Sequence, residues 1–231
     1  MTSSFDLIIF DCDGVLVDSE VISCRTHAEM LTRHGYPISV DEVHDRFLGR
    51  SAREARLEIE RELGRGLPDD LDSQLRAELY RCFAETLEAI PGITQALDDI
   101  SQAVCVASSG SPERIRTSLT LVNLHHRFVP NIFSAQQVEH GKPAPDLFLF
   151  AAGQMQVPPA RCVVVEDSIP GVIAARAAGM AVLGFHGGSH CRPSTATALR
   201  KAGATATFED MRRLPALIDG FATGVAAASS A

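Results

Sequence analysis

The stretch Leu7-Ile8-Ile9-Phe10-Asp11-Cys12-Asp13-Gly14 decides the fold of this chain. A short apolar run that closes on two carboxylates reads as a buried strand. Open α/β sheets carry their reactive groups just beyond the carboxyl ends of their strands, and Gly14 lets the backbone turn sharply after the acids. Asp11 and Asp13 share strand parity, whereas Cys12 has the opposite parity and is expected to pack inward. A second acidic pair, Glu166-Asp167, closes the run Val163-Val164-Val165. If both strand ends meet, up to four carboxylates converge. Two unit charges about 4 Å apart repel by roughly 4 kcal/mol at an effective dielectric of about 20. That repulsion is large for a domain of marginal stability. The pattern calls for a cation, and hard oxygen ligands suit Mg²⁺. Taken singly, an Asp before Gly is also ordinary turn chemistry.

Outward from this stretch the chain changes character twice. Residues 20 to about 88 carry only helical periodicity. Val21, Cys24, Ala28 and Leu31 form one apolar stripe with Gly35 as its stop, and Leu71, Leu75, Leu79 and Phe83 form another after Pro68. Ser39 with Glu42, and Ser51 with Glu54, have the spacing of capping boxes. From about residue 90, apolar runs (104–107, 132–133, 163–165, 181–185) alternate with helical stretches (112–122, 145–155, 171–179), the signature of βαβ units and a parallel sheet. The first run near Ile8 finds no strand partner in the helical block and belongs with this later half. The expected fold is therefore α/β: a Rossmann-like parallel sheet core over 1–16 and 90–231, with a helical cap inserted over 17–89. The small residues of 222–231 have little to bury and are expected to fray.

Composition excludes several classes of function. The 231 residues carry a formal net charge of -8, which argues against nucleic-acid and membrane-surface partners. Six scattered cysteines form no C-x-x-C pair, and several lie in apolar runs as small buried hydrophobes. Reduced thiols and a cytoplasmic location are expected. No secretory leader pattern is present, and no apolar run is long enough to span a bilayer. A monomer or weak homodimer is the expected form. Of the eight histidines, none has metal-ligand spacing.

Two further junctions carry chemistry. Ser108-Ser109-Gly110 follows the 104–107 run and precedes a helix that Pro112 would open. Hydroxyls and backbone N–H groups there form an anion site, although the same residues also make an ordinary loop and cap. Lys142, in Gly141-Lys142-Pro143-Ala144-Pro145, stands in a loop that prolines stiffen, so its ammonium is aimed at a lower entropic cost. A solvated surface lysine is the plain alternative.

Asp11-x-Asp13-Gly14, Ser108, Lys142 and Glu166-Asp167, in that order and each after a strand, resemble the haloacid dehalogenase-like superfamily. The helical insertion resembles its cap-bearing phosphatase subgroup, the β-phosphoglucomutase-like members included. Local stretches, Phe10 to Gly14, Leu16 to Ile22 and Leu87 to Ile90, are similar to the 6-phosphogluconate phosphatase branch. The resemblance implies Asp11 as nucleophile, Asp13 as general acid and base, and Ser108, Ser109 and Lys142 as the phosphoryl clamp. It implies Mg²⁺ held by Asp11, the Asp13 carbonyl and Asp167, with Glu166 assisting directly or through water. Asp13 itself disfavours dehalogenase and phosphonate chemistry. Ser23 stands where mutase-like members carry a cap histidine, so hydrolysis of a sugar phosphate or sugar-acid phosphate is favoured over phosphomutase activity or a non-catalytic binding role. Glu20, Gly49, Arg50 and Arg53 are the expected substrate contacts from the cap, with plain surface residues as the alternative for the arginines.

Overall fold

The computed structural model describes residues 5–47 and 52–222; the expected Ser51 cap and the chain end from 223 lie outside them. The apolar run around Ile8 forms strand β1 (Leu7–Phe10), every residue of it buried. Four more strands follow the alternation read from the sequence: β2 (Ala103–Ser108), β3 (Ile132–Ser134), β4 (Cys162–Glu166) and β5 (Ala181–Phe185). A sixth, β6 (Ala206–Phe208), was not legible in the sequence. All pairings are parallel, in the order β3-β2-β1-β4-β5-β6. The chain winds one way from β1 to β3 and then returns to lay β4 on the other side of β1. Asp11 thus leaves the sheet at the point where strand order reverses, the place where open α/β sheets bind ligands.

Both faces of β1 are covered, which is why its sequence is continuously apolar rather than alternating. Leu7 and Ile9 pack with Cys105, Val164 and Val182 against α8 (Asp146–Gln154) and α9 (Ile169–Ala177), through Leu147, Phe148, Ala151, Val172 and Ala175. Phe10, of opposite parity, meets Phe128 of the one-turn helix α7 (His125–Phe128) edge to face at 5.9 Å. Cys12 is fully buried, as its parity implied. The remaining helices of this half are α5 (Ile93–Asp99), α6 (Pro112–Leu121), α10 (Thr195–Ala202) and α11 (Leu214–Ala222).

The chain divides into two compact units, Met1–Asp18 with Glu88–Ala231, and Ser19–Leu87. The second unit is helical throughout its described residues: α1 (Glu20–Arg33), α2 (Val40–Phe47), α3 (Ala52–Leu63) and α4 (Leu71–Thr86). The stripes read from the sequence form its interior, with Cys24, Ala28, Leu31, Val43, Ile59, Leu67 and Leu71 in one cluster. Ser39 caps α2 reciprocally: its N–H donates to Glu42 Oε2 at 2.9 Å, and the Glu42 N–H donates to Ser39 Oγ at 3.2 Å. Arg46 ties α2 to α3 by donating to Glu58 at 2.9 Å and to Glu62 at 2.7 Å. Among the described residues no helix is long and apolar enough to cross a membrane. All six cysteines are free thiols.

Candidate active site

Register explains why distant acids meet. Phe10 is level with Val165 on β4, and the Asp11 N–H continues the ladder by donating to the Val165 carbonyl at 3.0 Å. Asp11 therefore lies beside Glu166, the last residue of β4. One carboxylate oxygen each of Asp11, Glu166 and Asp167 lie within 4.8 Å of one another, and all three side chains are buried. Lys142 joins them from the loop before α8. Its Nζ lies 3.0 Å from Asp11 Oδ1 and 2.6 Å from Glu166 Oε1, and it stands 5.0 Å over the Phe148 ring. The Lys142 side chain is 4% exposed, so the plain reading as a solvated surface lysine fails.

The electrostatics follow from this crowding. Burial, with Glu166, Asp167 and Asp13 nearby, pushes the Asp11 carboxyl well above the usual carboxylate range despite the opposing pull of Lys142. Burial also raises Asp167, against the pull of His190 and with the push of Glu166. For Lys142 burial alone would depress the ammonium, but Asp11 and Glu166 outweigh it and hold the group above the ordinary lysine value. Positive charge is thus scarcer than negative charge at this point. A hard, all-oxygen donor set in that state fits a small divalent cation.

Four carboxylates do not converge, which corrects the fuller cluster expected from the sequence. The Asp13 side chain turns instead to Arg114, in the first turn of α6, whose Nη2 and Nε donate to Asp13 Oδ1 at 2.9 and 3.3 Å. A guanidinium offers Asp13 a charged partner of its own, whereas the one ammonium in the cluster is already shared by Asp11 and Glu166. Glu166 also has both oxygens engaged, Oε1 by Lys142 and Oε2 by the Ser168 N–H and Oγ at 2.8 and 2.9 Å. It therefore anchors Lys142 and the start of α9 more directly than it offers a lone pair elsewhere.

Ser108 ends β2 beside β1 and is buried; its Oγ accepts the Gly110 N–H at 3.1 Å, which shapes the loop. Ser109, next in that loop, is exposed. Ser111 caps α6 by accepting from the Arg114 N–H, with Pro112 opening the helix as expected. Of the expected substrate contacts, Glu20 begins α1 and Arg53 lies exposed on α3, while Gly49 and Arg50 lie outside the described residues. Sequence reasoning missed Arg114 and also His190. His190 Nε2 lies 3.0 Å from Asp167 Oδ2. Burial works against a charged imidazole there, but Asp167 outweighs it and lifts the His190 ring to about 11. The available signal was position: His190 follows Gly187-Gly188 in the loop at the carboxyl end of β5, on the same sheet edge as the acids.

Comparison with known proteins places this geometry. The family described as haloacid dehalogenase-like hydrolase matches residues 5–179. The chain belongs to that family. Among its curated relatives, the chain is 35% identical over 192 residues to the 6-phosphogluconate phosphatase of Escherichia coli (strain K12), covering 83% of this chain and 87% of that protein. It is 30% identical over 184 residues to a phosphorylated carbohydrates phosphatase of Thermotoga maritima, covering 76% and 82%. A crystal structure of a haloacid dehalogenase-like protein of unknown function from Agrobacterium tumefaciens superposes with a TM-score of 0.84 at 43% identity, covering 94% of this chain and 99% of that one. Family membership and named phosphatase relatives make this chain a phosphoric monoester hydrolase.

Proposed function

We propose that the protein hydrolyses a small sugar phosphate or sugar-acid phosphate, 6-phosphogluconate-like in class, with Mg²⁺ as cofactor and Asp11 as nucleophile. One observation carries this reading: a buried carboxylate at the reversal point of the sheet is paired with a buried lysine and crowded by Glu166 and Asp167. The names of the two phosphatase relatives support the substrate class.

In the proposed reaction an Asp11 carboxylate oxygen attacks phosphorus and the bond to the substrate oxygen breaks, leaving an aspartyl-phosphate. Asp13 gives a proton to the departing oxygen, then takes one from the water that releases phosphate. Arg114 fixes the direction of the Asp13 carboxyl for both transfers. Lys142, with Ser108 and Ser109, holds the phosphoryl oxygens, while Glu166 keeps Lys142 in place. Asp11, Asp167 and the Asp13 carbonyl would hold Mg²⁺, with Glu166 assisting indirectly. When bound, the cation neutralises charge on the carboxylates and on the transferring phosphoryl group. Substrate selection is assigned, on sequence grounds, to Glu20, Gly49, Arg50 and Arg53.

Two measurements test this reading. Phosphate release from p-nitrophenyl phosphate should require Mg²⁺ and stop with EDTA; metal-independent turnover there, or isomerised sugar phosphate in place of free phosphate when a sugar phosphate is the substrate, would refute it. On a panel of sugar and sugar-acid phosphates, Arg50→Ala and Arg53→Ala should each lower kcat/KM for the best substrate by about 10-fold or more, as loss of a charged contact does. Unchanged values in both variants remove the arginines from the assignment.

A further inference from the structure

The loop after β5 brings one buried ring to the acidic cluster. His190 and Asp167 have side chains only 7% and 6% exposed, and their contact joins Nε2 to Oδ2 at 3.0 Å. The surrounding backbone is shaped to admit this pair. At Gly14 (φ 77°) a Cβ would fall 1.9 Å from Asp167 Oδ2 and 2.9 Å from His190 Cε1. At Gly188 a Cβ would fall 2.8 Å from His190 Cε1 and 2.9 Å from its Nδ1. All four distances are closer than real side-chain carbons approach, so each position needs glycine for the ring to lie where it does. The loop is also tethered to the segment after the first motif. Ser189 donates from its N–H at 3.1 Å and its Oγ at 2.8 Å to Asp18 Oδ1, and the Cys191 N–H closes a turn on the Gly188 carbonyl at 3.0 Å.

We infer that His190 is a positioning residue that aims Asp167 at the Mg²⁺ site. With Oδ2 engaged by His190 and set against Gly14, Oδ1 is the Asp167 oxygen available to a cation. The role needs a single N–H on Nε2, which the imidazolium and one neutral tautomer both supply. Ligating carboxylates work best when their other oxygen is held by such an outer partner, and removing one typically weakens metal binding 10- to 100-fold. The inference rests on the proposed reading of the acidic cluster as a Mg²⁺ site.

The test is Mg²⁺ binding by isothermal titration calorimetry to the full-length wild type, His190→Leu and His190→Gln, with kcat measured across Mg²⁺ concentrations. His190→Leu fills the ring's space without a donor, and His190→Ala serves where leucine prevents folding. The donorless variant should bind Mg²⁺ about 10- to 100-fold more weakly, and its kcat should return toward the wild-type value at saturating Mg²⁺. His190→Gln, whose amide can still donate, should recover part of the affinity. Unchanged or tighter binding in the donorless variant, or a kcat that excess Mg²⁺ does not restore in either variant, overturns the inference alone. A wild type that binds no Mg²⁺ overturns the cluster reading and the inference together.

Discussion

Asp11→Asn should abolish turnover while leaving the fold at least as stable as before. In the proposed mechanism this side chain supplies the attacking oxygen, and an amide cannot replace it. Removing a nucleophile costs on the order of 10⁴- to 10⁶-fold in kcat. The stability half of the prediction comes from the site's electrostatics. Burial and three neighbouring acids raise the Asp11 carboxyl well above its ordinary range, more than Lys142 lowers it. A carboxyl raised in the folded state loses folding free energy as pH climbs from its unfolded to its folded value, because charging it is harder in the fold. Asn has the same shape, carries no charge and still offers Lys142 an acceptor. Without metal, the variant's stability relative to wild type should therefore rise with pH, as read by urea unfolding in EDTA at several pH values. This is the trade expected where a site keeps a destabilised group for chemistry. Residual turnover above the metal-free background would remove Asp11 from the role of nucleophile. A variant less stable than wild type across the whole pH range would refute the charge-crowding account.

The sheet was legible because its strands are largely buried, so five of the six announced themselves as apolar runs between turn residues. β6 was not: Ala206-Thr207-Phe208 is short, lies at the sheet edge beside β5 and carries only one fully buried side chain, so its sequence holds no run to notice. The short helices α5 and α7 were hidden for a similar reason, since neither is long enough to show a stripe. In the site, Asp11, Lys142, Glu166 and Asp167 could be foreseen as neighbours because parallel register brings strand ends to one edge. Their partners could not. Arg114 reaches Asp13 across 101 positions, and His190 reaches Asp167 from the next βα loop, contacts made by side-chain direction rather than by strand periodicity. Position along the chain showed where acids would gather, but not which cations would answer each one. That is why Asp13 was expected in the cluster and is found on Arg114.

Lys142→Met should damage activity and stability together, in contrast to Asp11→Asn. Methionine keeps the length and packing of the stem over Phe148 but deletes the charge that lies 3.0 Å from Asp11 and 2.6 Å from Glu166. Glu166 is completely buried, and Ser168 answers only its other oxygen. Removing one partner of a buried ion pair typically costs about 3–5 kcal/mol, because the remaining charge is left in a poor solvent. The cost should shrink as pH falls, since protonating the abandoned Asp11 carboxyl removes charge that Lys142 had been offsetting. The sign is set by Asp11: Lys142 lowers its carboxyl, so the folded-state affinity of Asp11 for a proton increases in the variant and stability relative to wild type improves toward low pH. In the proposed mechanism turnover should fall by about 10²- to 10³-fold, the usual loss when one preorganised stabiliser of developing charge is removed. Urea unfolding at pH 5 and pH 8, paired with kcat on p-nitrophenyl phosphate, checks both halves. A variant as stable as wild type at pH 8 would mean that Lys142 does not offset the buried acids. A variant destabilised but fully active would leave it structural and take it out of the phosphoryl clamp.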